Sequence, residues 1–547
     1  MLNETQATAE QQSVNPVELD VAIVGGGLAG LYAIYRMRKA GLRIRAYEAG
    51  SGVGGTWFWN RYPGARCDTE SLQYSYSFDD TLREEWQWPE RYPTQPEILK
   101  YIEHVAARHD LLRDVQLNTR VLSAEFDPAT NRWTLETDQG DVIVAPYVIM
   151  ATGNLSTPRL PDIPGVKTFA GDAYHSGMWP HEDVDFTGKV VGVIGTGSSG
   201  VQMIPVIAQQ AKHLYVFQRT ANFSMPAHHG PMDPEKEQYF KAHHREIHAK
   251  AMQTPSGLWD IPPTGKGAME VSPEEREQVY ESRWQHGTII GMLSSFKDLL
   301  VNQQANDTVA DFIRNKIRGI VKDPETAELL CPKGHPVAAK RPCLDSHYFE
   351  TYNRDNVTLV DVHSAPIEEI TPQGLRTGKQ AYPLDALIFA TGFDAMTGAV
   401  AEIDIRVKGG PVLKEHWSAG PRTYLGIMMA GFPNLFLVTG PQSPSVYANM
   451  IMGIEYHTDW IADCLAHAKA HGHHRIEPEP QAEHDWVVHV KEVADRTLVP
   501  KANSWYLGAN IPGKPRVFMI YVGGFDKYKR RVDRVTANGY EGFRMTA

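Results

Sequence analysis

The chain has 547 residues, 42% of them hydrophobic, enough to build several large cores, and its 65 acidic against 54 basic residues leave a net charge of −11. That balance argues against a nucleic acid or an anionic membrane surface as the main partner. The four cysteines, Cys67, Cys331, Cys343 and Cys464, form no CxxC pair and so speak against a disulfide framework or a zinc site; they read as reduced thiols of a cytoplasmic protein, and no apolar run reaches the ~20 residues that span a bilayer.

Residues 1–17 lack the charged and apolar regions of a secretory signal and are expected to form a flexible tail. The first patterned stretch is DVAIVGGGLAGLYAIYRMRKAGLRIRAYEAG: an apolar strand, a GxGxxG turn at Gly25, Gly27 and Gly30, an amphipathic helix, and a second strand ending at Glu48. Glycines there allow a tight turn and let backbone N–H groups approach a pyrophosphate, whose charge the helix N-terminus stabilises. Strand, helix and an acid 23 residues after Gly25 (48 minus 25) together mark a dinucleotide site rather than a packing turn. Glu48 has the reach to accept hydrogen bonds from a ribose with free hydroxyls and repels a 2′-phosphate, which fits FAD or NAD. GVGGTWFWN follows, with Gly52, Gly54 and Gly55 ahead of aromatics, and a second glycine turn so soon after the acid is the pattern of FAD proteins of the glutathione-reductase type. FAD is therefore expected here, on Gly25, Gly27, Gly30, Glu48, Gly55, Thr56 and Trp57; the expected cofactor residues also include Asp68, Tyr74 and Met450, which lie outside this pattern.

Further on, KVVGVIGTGSSGVQMIPVIAQQAKHLYVFQRT repeats the plan, with Gly195, Gly197 and Gly200 on the turn and Thr196, Ser198 and Ser199 among them. The position 23 residues after Gly195 is Gln218 (195 plus 23), so the acid is missing, and Arg219 and Thr220 stand beside it. A neutral residue and a guanidinium suit a 2′-phosphate, so this site is expected to prefer NADPH to NADH.

Two strand-like runs, YVIMATG at 147–153 and ALIFATGF at 386–393, end alike and mark the crossings between the lobes. Between them the pattern turns helical, with DPEKEQ, SPEEREQ and DPETAE placing Pro at the first helical position and Ser272 with Glu275 at capping-box spacing. The expected fold is α/β, two Rossmann-like dinucleotide-binding domains of the glutathione-reductase flavoprotein type with a helical insertion. The FAD domain is expected at 18–155 and 390–547, the NADP domain at 156–222 and 336–389, and the insertion, as pocket lid or buttress, at 223–335.

Just before the second glycine turn stands FAGDAYHSGMWP, and its FxGxxxHxxxWP pattern, filled by Phe169, Gly171, His175, Trp179 and Pro180, resembles the fingerprint of type I Baeyer–Villiger monooxygenases. The resemblance extends over nearly the whole chain through GGTWFWNRYPGARCDTES, KRPCLDSHYFETYNRDNV and NSWYLGANIPGKPRVF. It implies that NADPH reduces FAD, that dioxygen adds to give a flavin 4a-peroxide, and that this nucleophile attacks a ketone to yield an ester or lactone, with no metal. It further implies that Arg341 is the active-site cation, that Asp68 holds it beside the flavin, and that Lys340 joins Arg219 and Thr220 at the 2′-phosphate. Trp505 matches a ring at the nicotinamide end, and the fingerprint matches a hinge linking the NADP lobe to the flavin site. An arginine suits the catalytic position because its pKa is too high for it to protonate the peroxide.

The loop GPQSPSVYANM at 440–450 resembles in length the phenylacetone and steroid branch more than the cyclohexanone-type enzymes, so Ser445, Val446, Tyr447 and Met450 are expected to line the substrate pocket, with Tyr447 bulkier than that branch leads one to expect. Expected partners are a small ketone and dioxygen, with the protein a monomer or weak homo-oligomer. An N- or S-oxygenating flavoprotein of the same architecture stays open, although Trp179 and Arg341 argue against it; so does a non-catalytic FAD-binding sensor. The missing CxxC removes the redox pair of a disulfide reductase.

Overall fold

The structure is a computed structural model that describes residues 15–547. Its first parallel sheet centres on Val21–Val24, buried at every position, between Ile44–Tyr47 and Tyr147–Met150, with Leu435–Leu437 and Val115–Gln116 at the edges. A parallel sheet covered on both faces accounts for an apolar run without polar alternation. Helix Leu28–Lys39 follows the glycines and packs on the long helix Met450–Ala470, so the C-terminal part of the chain completes the lobe that the N-terminal part begins.

A second layer on this lobe joins Val121–Asp127, Arg132–Thr137 and Val142–Ala145 as antiparallel strands, with Val17–Glu18 and Asp404–Val407 pairing parallel at its edges. Here the expected tail is too long. Residues 1–14 lie outside the described residues, but Val17 is already strand, paired with Ile143, because its side chain packs on the core of this layer.

The second parallel sheet runs in the order Val357–Asp361, His213–Gln218, Val190–Ile194, Ala386–Phe389, Asp172–His175. The two lobes repeat each other closely. A Cβ on Gly25, at φ +110°, would stand 2.5 Å from the carbonyl oxygen of Ala151, and one on Gly195, at φ +111°, would stand 2.4 Å from that of Ala390. The alanines of the two ATG runs thus close over glycines that admit no side chain.

Helices Pro234–Ala251, Pro273–His286, Gln303–Ile320 and Pro324–Leu330 fill most of the insertion. Ser272 accepts from the Glu275 N–H at 3.2 Å, but Glu275 pairs with Lys266 instead of returning to Ser272, so the capping box is half formed. The region also opens with a strand, Ser224–Pro226, paired to Cys343–Asp345, rather than with a helix. Tyr280, Trp284, Phe312 and Ile313 share one core with Val191, Val193 and Ile204 of the second lobe, which makes most of the insertion a continuation of that lobe's core.

Candidate active site

A cleft of about 1030 Å³ runs between the lobes, and both glycine turns open onto it. At one end the Glu48 carboxylate accepts the Gly26 N–H on one oxygen and the Gly50 N–H on the other, each at 2.7 Å, and its remaining lone pairs stay available for hydroxyl donors. The two glycine turns of this lobe touch, since a Cβ on Gly27 would lie 3.2 Å from the Gly55 Cα. Thr56, Trp57, Tyr74 and Met450 line the same cleft, and the Trp57 indole N–H donates to the Tyr74 hydroxyl at 3.0 Å. Gly30 and Gly200, expected among the cofactor residues, lie behind the turns: a Cβ there would strike the carbonyl oxygens of Gly25 and Gly195, so their task is close packing.

Gly195, Thr196, Gly197, Ser198, Ser199, Arg219, Thr220 and Lys340 line the other end. Gln218 occupies the position equivalent to Glu48 but turns away from the cleft, donating to the Leu329 carbonyl at 2.8 Å. Lys340 has its pKa lowered by burial and by the nearby charge of Arg219. Among the described residues neither cation is within ion-pair distance of a carboxylate, so this end of the cleft wall carries a local excess of positive charge.

Between these ends stand Arg341 and Asp68, brought together from 273 positions apart. The guanidinium grips both carboxylate oxygens, Nε at 2.9 Å and Nη2 at 2.8 Å, and donates through Nη1 to the Val446 carbonyl at 2.6 Å. Burial opposes its charge more than any other single influence, yet Asp68, Tyr506 and Cys67 together raise the pKa above the ordinary arginine value. Arg341 therefore presents a permanent cation to the cleft. A smaller cavity lies on the far side of the pair, walled by Val446, Tyr447, Tyr506, Leu258, Ile289 and Leu293. This is the part of the insertion that shapes a pocket.

A protein described as "Baeyer-Villiger monooxygenase" from Pseudooceanicola batsensis is 43% identical over 526 residues, covering 96% of this chain and 95% of that one. The chain belongs to the type I Baeyer–Villiger monooxygenases. Residues 18–233 match the family described as flavin-binding monooxygenase-like. A solved structure described as "Oxidized steroid monooxygenase bound to NADP" is 50% identical, with a TM-score of 0.92 over 97% of this chain and 100% of that one. A phenazine N-monooxygenase from Lysobacter antibioticus is 42% identical over 96% of both chains.

This monooxygenase uses FAD and NADPH, and the cleft of the chain fits both. The glycine cradle and the backbone-held Glu48 suit the FAD pyrophosphate and ribose; Arg219, Thr220 and Lys340 suit the 2′-phosphate of NADPH.

In the monooxygenase the fingerprint residues stand outside the cleft wall. His175 is buried, and burial lowers its pKa; Nδ1 accepts the Gly177 N–H at 3.0 Å, which leaves the proton on Nε2, donated to the Arg159 carbonyl at 3.2 Å. Arg159 and Thr391 do line the cleft, and Thr391 donates to the same carbonyl at 2.8 Å. His175 thus reaches the cleft only through the Arg159 carbonyl it shares with Thr391. Gly171 leaves room for the Asp385 carbonyl, 2.5 Å from where a Cβ would sit, and Trp179 stacks on Tyr174 at 5.1 Å. Phe169 packs on the outer core of the second sheet.

The substrate-pocket expectation needs one correction. Val446 and Tyr447 line the small cavity, but Ser445 lines neither; its hydroxyl accepts from Asn154 at 2.7 Å and holds the loop. Burial pushes the Tyr447 hydroxyl up to about 12. Trp505 lines the main cleft. Sequence reading missed Gln202, Asn222 and Tyr506, which bind or flank the Arg66–Asp68 and Arg341 segments; their partners lie over a hundred residues away, and no local motif announces them.

Proposed function

We propose that the monooxygenase inserts oxygen beside a ketone carbonyl at the corner formed by Asp68 and Arg341, and the observation that carries this reading is the bidentate pair itself, set between the cleft and the apolar side cavity. Bound FAD, reduced by bound NADPH, supplies the activated oxygen. Arg341 stabilises negative charge on the reacting oxygens without surrendering a proton, and Asp68 with the Val446 carbonyl fixes its plane. Leu258, Ile289 and Leu293 keep water from the ketone. Arg219, Thr220 and Lys340 hold the 2′-phosphate, Trp505 covers the nicotinamide end, and the fingerprint segment transmits movement of the second lobe through Arg159. The FAD domain is read as 18–155 with 390–547, and the NADP domain as 156–222 with 336–389.

The preferred substrates are aryl or steroid ketones, a reading supported by the length of loop 440–450 and by the 50% identity to the steroid monooxygenase. The four unpaired, buried thiols support a cytoplasmic location, and the protein acts as a monomer or weak homo-oligomer. The phenazine N-monooxygenase relative favours nitrogen oxidation as the second reading. A panel of cyclohexanone, phenylacetone, a steroid ketone and phenazine, with NADPH consumption and products measured together, separates the two. Ester or lactone in proportion to NADPH supports the first; N-oxide alone overturns it.

A further inference from the structure

The segment that carries Asp68, residues 62–68, is fastened on two sides. One side belongs to the first lobe, where the Cys67 N–H donates to the Pro93 carbonyl at 3.0 Å and the Gln95 N–H to that of Ala65 at 2.8 Å. The other side is held by one side chain of the second lobe, Gln202, on the helix Ser198–Gln210 that opens at the second glycine turn. Its amide nitrogen donates to the Arg66 carbonyl at 3.0 Å, and its amide oxygen accepts the Tyr62 hydroxyl at 2.8 Å and the Arg66 N–H at 3.4 Å. Tyr62 and Ala65 are buried in the second lobe's core, and Gly64, at φ +79°, lies so close that a Cβ would meet the Gln202 carbonyl oxygen at 2.5 Å. Arg341 is referenced to the same lobe, since Asn222 donates to its carbonyl at 2.8 Å.

We propose that Gln202 is a positioning residue: by clamping the backbone of Arg66 to the helix behind the second glycine turn, it keeps Asp68, two residues on, in bidentate register with Arg341 and makes the pair follow the second lobe. An amide is suited to this because it offers a donor and an acceptor in one plane, matching the C=O and N–H of a single residue. Without the clamp the segment keeps its first-lobe hydrogen bonds and the packing of Tyr62 and Ala65, but no hydrogen bond ties the Arg66 backbone to the second lobe, and Asp68 follows Arg341 less closely when the lobes shift. The inference rests on the reading of Arg341 and Asp68 as the catalytic pair.

The test is a double-mutant cycle on the FAD-loaded enzyme. Gln202→Ala is expected to lower ester formed per NADPH consumed by about ten-fold, since a misplacement of ~1 Å can cost up to 10²-fold, while FAD stays bound. In an Asp68→Ala background the same substitution should add little further loss, because the group it positions is gone. Gly64→Ala, whose side is not on the cleft wall, should reproduce the loss with the KM for NADPH unchanged, which separates positioning from a direct contact with the nicotinamide nucleotide. Losses that multiply in the cycle, or a Gln202→Ala defect confined to the KM for NADPH, overturn the proposal. If Arg341→Ala itself leaves ester formation intact, it is the parent reading that fails; if Arg341→Ala and Asp68→Ala abolish ester while Gln202→Ala does not reduce it, only this inference fails. Should Gln202→Ala not fold, Gln202→Glu keeps the acceptor for Tyr62 but sets a carboxylate oxygen against the Arg66 carbonyl, and the same cycle applies.

Discussion

Replacing Arg341 with alanine removes three hydrogen bonds at once, two to Asp68 and one to the Val446 carbonyl, and with them the permanent cation between the cleft and the side cavity. The Asp68 side chain is only 20% exposed, so its carboxylate is left with little water to replace its partner, and breaking a buried pair costs about 3 kcal/mol of stability. Losing one electrostatic stabiliser of developing charge costs ~10²- to 10³-fold in rate. FAD should remain bound, because Glu48 and the first glycine turns do not depend on position 341. Ester formation should therefore fall by at least about 10²-fold, while NADPH oxidation falls less and the difference is released as hydrogen peroxide. Arg341→Lys separates the two effects. An ammonium restores a charge partner to Asp68, and with it most of the stability, but it lacks the planar fork that spans both carboxylate oxygens and the Val446 carbonyl, and it is able to give up a proton. Stability should recover and ester should not. Chromatography of the ester, a peroxide assay, NADPH absorbance and a thermal melt measure all four quantities. An Arg341→Ala enzyme that makes ester at the wild-type rate and coupling would refute the assignment.

Wild-type enzyme should prefer NADPH over NADH, and Arg219→Ala or Lys340→Ala should each reduce kcat/KM for NADPH by about ten-fold or more with little effect on NADH, because each removes one charge-assisted contact to the 2′-phosphate; equal use of both nucleotides by the wild type sinks that reading. Glu48→Gln sets an amide NH₂ against one of the two backbone N–H groups that the carboxylate now accepts, and should weaken FAD retention by about ten- to a hundred-fold, read from flavin fluorescence released on dilution. His457 is buried between the Thr439 N–H and the Tyr528 hydroxyl, and burial pushes its pKa from 6.5 down to about 3. Below the unfolded value the unfolded chain binds a proton that the folded chain refuses, so this site's contribution to stability is complete above pH 6.5 and is lost at about 1.4 kcal/mol per pH unit as pH falls toward 3. His457→Gln should flatten that stretch of the stability profile in denaturant titrations, and an unchanged slope would contradict it.

Much of this protein was legible in the chain alone because its cofactor loops are local. A GxGxxG turn, its flanking strands and the acid or its absence lie within about thirty residues, and the backbone geometry they need restricts residue type strongly enough to be read from letters. The ATG runs were legible as a repeated pattern, and in each the alanine carbonyl lies against a glycine that admits no side chain. What stayed hidden depends on which way a side chain turns once the lobes are packed. Gln218 and Glu48 hold equivalent strand positions, yet one points into the insertion and the other into the cleft. Ser445 and Val446 are neighbours, and only Val446 faces a cavity. The resemblance paired Arg341 with Asp68, but the bidentate geometry appears only in the folded chain, where Asn222 and Gln202 each hold the backbone of one of the two distant segments. Such contacts join residues more than a hundred positions apart through backbone atoms that every residue carries, so the sequence holds no local mark of them. Tertiary packing decides them, when burial of the two lobes' cores brings these segments together and the Arg66 and Arg341 backbone groups find side-chain partners across the chain.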